Sequence, residues 1–240
     1  KVLTKDGYQL SAYTEAFDDA SLAQVDILVI SNALAQEAMA PFVTPTPSAF
    51  TEAEIAAVER WVASGGSLLL IADHMPFAGA SASLAEAFGV AFYDGFLLNA
   101  DSSGLVDFSR ANGKLADHVL LAAEQQDAAV DFVRSFTGQA FTLPDGAISL
   151  LNPTDEQTLY LTDTMWVFHP ETPTMSGEGL SQGAIMPYGS GRLAVFGEAA
   201  MFTGQLAGPT QFPVGMNSPN APQNYRFLLR IIHWLDGDNP

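Results

Sequence analysis

Asp73 and His74 stand side by side directly after the apolar run Leu68 to Ile71, in the stretch SLLLIADHMPF. A carboxylate and an imidazole placed where a buried strand ends can bind a divalent cation, or serve as acid and base. Glu198 follows a second apolar run, Leu193 to Phe196, in GRLAVFGEAAMF. With Asp73 and His74 it would complete a set of two carboxylates and one histidine, donors that suit zinc or manganese. The same residues admit plainer uses. Asp73 can cap the following turn, His74 can pack beneath Phe77, and Glu198 can start a helical turn, where negative charge is favourable. Ser31 and Asn32 close a third apolar run, VDILVI, where they could hold a substrate carbonyl or oxyanion or form an Asx turn.

Other polar side chains are suited to recognition of a sugar or peptide. These are Gln139 in TGQAF, Thr203 and Gln205 in MFTGQ, Asn217 and Asn224, although each alone is also a common structural residue. His118 reads as a loop anchor and His233 as a half-buried residue of the last helix. A serine hydrolase lacks its G-x-S-x-G motif, and Ser81 and Ser83 have only proximity to His74 in their favour. There is no G-x-G-x-x-G or phosphate loop, and Gly189-Ser190-Gly191 reads as a hairpin turn.

The elements that must position these residues alternate. GYQLSAYTE and VDILVISNAL read as strands, and the Pro-rich APFVTPTPSAF between residues 40 and 50 as a rim or lid. TEAEIAAVERWVASGG is the clearest helix, with Thr51 and Glu54 as a capping box, Ile55, Val58 and Val62 as one stripe, and Gly65-Gly66 as its stop. The buried SLLLI strand and a helix over Ser83 to Phe88 follow. This β-β-α-β-α order, with strands apolar on both faces, predicts a doubly wound, mainly parallel sheet. Further on, VAFYDGFLL reads as a strand, Asp101 to Gly104 as a loop and Ala122 to Val133 as a helix. AISLL, TLYLTD and TMWVFH read as short strands, and GAIMPYGSGRLAVF as an antiparallel hairpin extension. QNYRFLLRIIHWL closes the chain as a helix burying Phe227, Leu228, Ile231 and Leu235. One domain over residues 1–240 is expected, with no repeat and no linker.

A net charge of −18, from 27 acidic and 9 basic residues, disfavours nucleic acid and anionic membrane as partners. The absence of cysteine excludes thiol nucleophiles, thiolate metal sites and disulfides. No run reaches the roughly 18 apolar residues of a membrane span. The acidic balance suits a secreted or periplasmic protein, and a cytosolic one is compatible.

The succession DILVISNAL, FTEAEIAAVERWVASGGSLLLIADH, LAEAFGV, LADHVL, GRLAVFGEAAMF and NYRFLLRIIHWL resembles bacterial proteins of the class I glutamine amidotransferase-like superfamily, in particular the ThuA-like branch also labelled DUF4350. The resemblance implies an amidotransferase-like (flavodoxin-like) fold. It does not imply the glutaminase reaction, because the turn that carries the nucleophilic cysteine in amidotransferases here holds Asp73, His74 and Met75. Phe168 to Glu171, FHPE, is similar to the His-Pro-Glu of amidotransferase triads but is read as a chance match, since the strand suited to carry that motif ends at Glu198. Relatives open with a strand and helix ahead of the DGY segment, so an upstream unit is expected before Lys1. Without it, an open sheet edge would be covered by another chain, as in a homodimer. The expected function is a hydrolase, metal-assisted through zinc or manganese, acting on a neutral ester, amide or glycan-derived small molecule. Asp73, His74 and Glu198 would hold the metal or the attacking water, with Ser31, Asn32, Gln139, Thr203 and Asn217 contacting substrate. The alternative is a catalytically silent binding or assembly domain on the same scaffold.

Overall fold

The structure, a computed structural model, describes residues 1–35, 39–122 and 129–237. Two single-turn helices, α1 (Val2–Lys5) and α2 (Asp19–Leu22), lead into β1 (Ile27–Ser31), α3 (Glu52–Ala63), β2 (Ser67–Ile71) and α4 (Phe77–Ala87). A run of strands follows: β3 (Ala91–Phe92), β4 (Phe96–Asn99), β5 (Leu105–Ser109), β6 (Phe132–Phe136), β7 (Phe141–Thr142), β8 (Ile148–Leu151), β9 (Gln157–Tyr160) and β10 (Thr174–Ser176). The hairpin β11 (Gly183–Tyr188) and β12 (Gly191–Phe196) comes next, then the hairpin β13 (Gly204–Ala207) and β14 (Phe212–Gly215), and finally α5 (Asn224–Asp236).

The central sheet has the order β1-β2-β12-β11-β8. β2 pairs in parallel with β1 on one side and with β12 on the other, Ile71 lying opposite Ser31 and Phe196. β11 and β8 extend the sheet antiparallel. The three apolar runs are therefore neighbours, with β2 and β12 buried on both faces and β1 at the sheet edge. The period-2 alternation of a strand then sorts them into two layers. Leu69, Ile71, Ala194 and Phe196 pack with Phe227 and Ile231 of α5. Leu68, Leu70, Leu193 and Val195 pack with Val58 and Val62 of α3 and Leu84 of α4. Each of these leucines is 0–1% exposed, and truncating one to alanine should cost about 2–5 kcal/mol.

The fold is a mixed α/β one, richer in strands than a doubly wound parallel sheet. Only β1, β2 and β12 run parallel; the other sheets among the described residues are small and antiparallel, with β10-β9-β4 the largest of them. Several local expectations change. GYQLSAYTE forms no strand; most of its residues are exposed, and Tyr8 packs against the core beside α5. TMWVFH is irregular apart from a bridge between Thr164 and Val43. VAFYDGFLL is broken into β3 and β4 by a turn at Asp94-Gly95. The helix expected over 122–133 falls partly outside the described residues, and its described end, from Phe132, is the strand β6, paired with β5. α4 starts at Phe77, six residues before the expected Ser83. The capping box at Thr51 is present, with the Glu54 side chain reaching back to the Thr51 N–H at 2.9 Å. No described helix is long and apolar enough to cross a membrane.

Candidate functional site

The parallel register brings three chain ends together. Asn32, Asp73 and Glu198 each follow the carboxyl end of one of the adjacent strands β1, β2 and β12, the edge of an α/β sheet at which ligands bind. Asn32 sits in the left-handed region at φ 52°, which asparagine tolerates better than most residues. There its Oδ1 accepts the backbone N–H of Asp73 at 3.0 Å. Its own N–H donates to the Ile71 carbonyl.

Asp73 is buried, and its Oδ1 accepts the N–H of His74 at 2.8 Å. Glu198 is fully enclosed, and its two carboxyl oxygens accept the N–H groups of Ala200 and Met201 at 2.6 and 2.8 Å. These are the first donors of a 3-10 turn over Ala200–Phe202, so the helical-turn role foreseen for Glu198 is met. Burial pushes the Glu198 carboxyl well above the usual carboxylate range, and the negative charge of Asp73 pushes it further. Burial also raises Asp73, against the lowering effect of His74 and of the N–H and amide groups around it. The two carboxyls form one electrostatic unit, in which ionising either makes the other harder to ionise.

Glu198 has a neighbour without a side chain. At Gly138 a Cβ would lie 2.1 Å from the Gly197 carbonyl oxygen and 2.7 Å from the Glu198 Cβ. Gln139, next in the chain, is fully buried. It donates its backbone N–H to the Gly197 carbonyl and its side-chain amide to the Ala72 carbonyl, and its Oε1 accepts from the Tyr93 N–H. Its amide is thus engaged with backbone groups of the fold.

His74 packs on aromatic rings. It stacks on Phe96 at 4.6 Å and meets Trp166 edge-on at 4.8 Å, with Phe77 at 6.3 Å. Nδ1 lies 2.7 Å from the Met75 carbonyl. A carbonyl only accepts, so Nδ1 carries the hydrogen and Nε2 of the neutral ring carries the lone pair.

Among the described residues no group of three His, Asp or Glu side chains could hold a metal ion. Asp73, His74 and Glu198 do not assemble the expected zinc or manganese ligand set, because the Glu198 oxygens are taken by the 3-10 turn and the His74 ring is turned into the aromatic cluster. The remaining candidates are scattered. Ser31 is exposed at the end of β1. Thr203 donates to the Ala200 carbonyl and accepts from Gln205, and the Asn217 amide reaches the Gln205 carbonyl at the long distance of 3.5 Å. Asn224 is fully buried and ties both the N–H and the carbonyl of Arg134 in β6 to the Met201 carbonyl. His118 caps a short turn by accepting the Leu120 N–H, and His233 pairs with Asp6 at 2.6 Å.

Two groups beside the site escaped the sequence reading. Asp94, whose carboxyl burial pushes up, accepts from the Thr46 hydroxyl and the Gly79 N–H and so fastens the Pro-rich rim to α4. Its signal was the Asp-Gly pair, a turn dipeptide hidden inside an apolar run. Trp166, Phe168 and Tyr160 wall a cavity of about 230 Å³, whose lining also includes Leu98, Ser102, Gly104 and Thr137. Trp166 joins that cavity to His74. A larger cavity of about 350 Å³ beside β7 and β8 is lined by none of the candidate residues.

No family model and no curated protein matches the chain. Solved structures do. The N-terminal domain of mmIFT52 is similar over 99% of this chain and 89% of its own, at a TM-score of 0.59 and 15% identity. The cytoplasmic protein STM3548 from Salmonella typhimurium is similar over 98% and 84%, at 0.51 and 13%. A ThuA-like protein from Bacteroides uniformis is similar over 91% and 72%, at 0.41 and 10%. At these identities the first two likenesses are of fold alone.

Proposed function

We propose that this protein binds a small neutral ligand at the carboxyl edge of its central sheet without turning it over. One observation carries this reading. Glu198 is wholly enclosed and both of its oxygens are held by backbone N–H groups, so the carboxylate best placed to complete an active site does not reach a substrate. The acid pair then works as a frame that fixes the strand ends, and the half-exposed groups beside it, His74 and Trp166, make contact. The scaffold is read as an amidotransferase-like, doubly wound one of the ThuA-like kind without its cysteine. Helices on both faces of the parallel strands support that reading. The net charge of −18 favours a neutral ligand over an anionic one and fits a secreted or periplasmic setting. The outer edge of β1, unpaired among the described residues and with Val29 47% exposed, is where a homodimer contact would form.

A second reading, a hydrolase of a neutral ester, amide or glycan-derived substrate, is favoured by the raised Asp73–Glu198 pair, since paired and perturbed carboxyls recur at active sites. A panel of chromogenic esters and glycosides, run with elemental analysis of the purified protein, separates the two. Binding without turnover is expected. Turnover by the wild type that vanishes in Asp73→Asn would establish the hydrolase instead.

A further inference from the structure

We infer that the cavity walled by Tyr160, Trp166 and Phe168 is a binding site for the pyranose ring of a neutral sugar. This rests on the ligand-binding reading above and names the ligand's chemical class. At about 230 Å³ the space lies just below the roughly 300–1,000 Å³ of pockets for drug-sized molecules. It has room for a single ring rather than an extended ligand.

The lining chemistry is what a sugar needs. No lining side chain is charged. The Phe168 ring stands at 71° to Trp166 and at 85° to Tyr160, with centroids 6.5 and 5.7 Å away, so the aromatic walls face different directions. A pyranose offers C–H faces to such rings and hydroxyls at its rim. Ser102, Thr137 and Tyr160 supply three hydroxyls, and no hydrogen bond to any of the three is present among the described residues. An apolar box with a few unused polar groups is the usual form of a small-molecule site. Trp166 and Phe168 remain 51% and 39% exposed, leaving aromatic surface for a ligand to cover.

The backbone gives a second, independent sign. Ser102, Thr137 and Trp166, at φ 63°, 99° and 62°, are three of the five non-glycine residues in the left-handed region among the described residues, and all three line this cavity. For β-branched Thr137 that conformation is a true outlier. Its side chain packs against Gly104, where a Cβ would lie 1.8 Å from the Thr137 hydroxyl oxygen. Strained residues of this kind persist where the surroundings over-determine them, and they gather at ligand clamps. Thr137 also precedes Gly138, and Trp166 touches His74, so the cavity abuts the strand-end row from two sides. An aromatic box can also take a quaternary ammonium ion; the three open hydroxyls favour the sugar.

The test is saturation-transfer NMR and calorimetry on the full chain with the methyl pyranosides of glucose, galactose and mannose, and with tetramethylammonium as the competing class. At least one pyranoside should bind saturably, and Trp166→Ala should weaken it about tenfold or more. Trp166→Phe, which keeps a ring, should retain most of the binding. Thermal melts check that both variants fold, as expected for a side chain already half in water. Binding of no pyranoside, or equal binding by Trp166→Ala, overturns the site. Trp166-dependent binding of tetramethylammonium alone overturns the sugar assignment but leaves the ligand-binding reading standing. Trp166-independent turnover in the chromogenic panel instead overturns that reading.

Discussion

The backbone N–H of Asp73 donates to Oδ1 of Asn32 at 3.0 Å, so a side chain at the end of β1 ties down the end of β2. Asn32 does this from a left-handed backbone at φ 52°. Replacing it by alanine removes the acceptor and leaves a β-carbon in a costly conformation. An unpaired buried N–H costs about 1–3 kcal/mol and the left-handed backbone about 1–2 kcal/mol more. Asn32→Gly loses only the acceptor, so urea unfolding should rank wild type above glycine and glycine above alanine. An alanine variant as stable as wild type would show that the bond contributes nothing.

Glu198 makes a prediction with a definite sign. Its folded pKa is raised well above the ordinary 4.5, chiefly by burial and then by Asp73. The folded protein therefore holds this proton more tightly than the unfolded chain does. The resulting stability is complete below the unfolded value and is lost as pH rises through the folded one. Asp73, also raised, adds in the same direction. Denaturation midpoints should fall from about pH 4.5 toward alkaline pH. Glu198→Gln should reduce this fall while costing about 1–3 kcal/mol at acid pH, because its amide faces one of two N–H donors.

Asp73→Asn isolates the partner. The amide oxygen can still accept the His74 N–H, and the charge that burdens Glu198 is gone. Glu198 should then ionise more easily, so the variant should match or exceed wild-type stability at pH 8 and show a weaker pH dependence. A large loss of stability at every pH would place Asp73 among residues needed for packing rather than in an electrostatic pair.

How much of this was legible in the sequence follows from the range of the forces involved. The runs ending at Ile71 and Phe196 are apolar on both faces and buried on both. The run ending at Ser31, although its Val29 is left exposed at the sheet edge, is apolar enough that their adjacency could be foreseen, and with it the row Asn32, Asp73 and Glu198. The Thr51–Glu54 box was legible because capping is local. What Glu198 bonds to was also local, since its acceptors serve donors two and three residues ahead. The cavity was not legible: Leu98, Thr137 and Trp166 come from distant segments, and nothing in TMWVFH marks Trp166 as adopting φ 62° rather than lying in a strand. In the small antiparallel sheets VAFYDGFLL and TLYLTD were legible as strands. β5, β6, β7, β10, β13 and β14 were missed for the same reason, as these two- to five-residue strands owe their existence to partners elsewhere in the chain.

Thr51→Ala tests the local part. The Thr51 hydroxyl accepts the Glu54 N–H at 3.3 Å, while Glu54 accepts from Thr51 and also from the Phe17 N–H. Loss of the cap should cost about 1 kcal/mol, and pyranoside binding should not change, because neither Thr51 nor Glu54 lines the cavity. A change in pyranoside affinity without a change in stability would contradict that separation.

Gly138→Ala tests whether the strand-end row depends on one missing side chain. An ideal Cβ there would lie 2.1 Å from the Gly197 carbonyl oxygen and 2.7 Å from the Glu198 Cβ. The obstructing atoms are backbone and the root of a fully buried side chain, so no rotamer change relieves the contact. The chain must shift at the end of β12 or at Thr137, which is already held in a strained conformation. Overpacking of this kind costs about 1–3 kcal/mol, and more where backbone must move. Gly146→Ala is the control: it has φ +87° and open space around its would-be Cβ, so only its backbone conformation contributes, about 1–2 kcal/mol. Gly138→Ala should lose more stability than the control and should also alter the pH dependence of unfolding, because displacing Glu198 changes its burial and its distance from Asp73. If both variants lose equal stability and the pH profile of Gly138→Ala matches wild type, the glycine does not set the carboxyl pair.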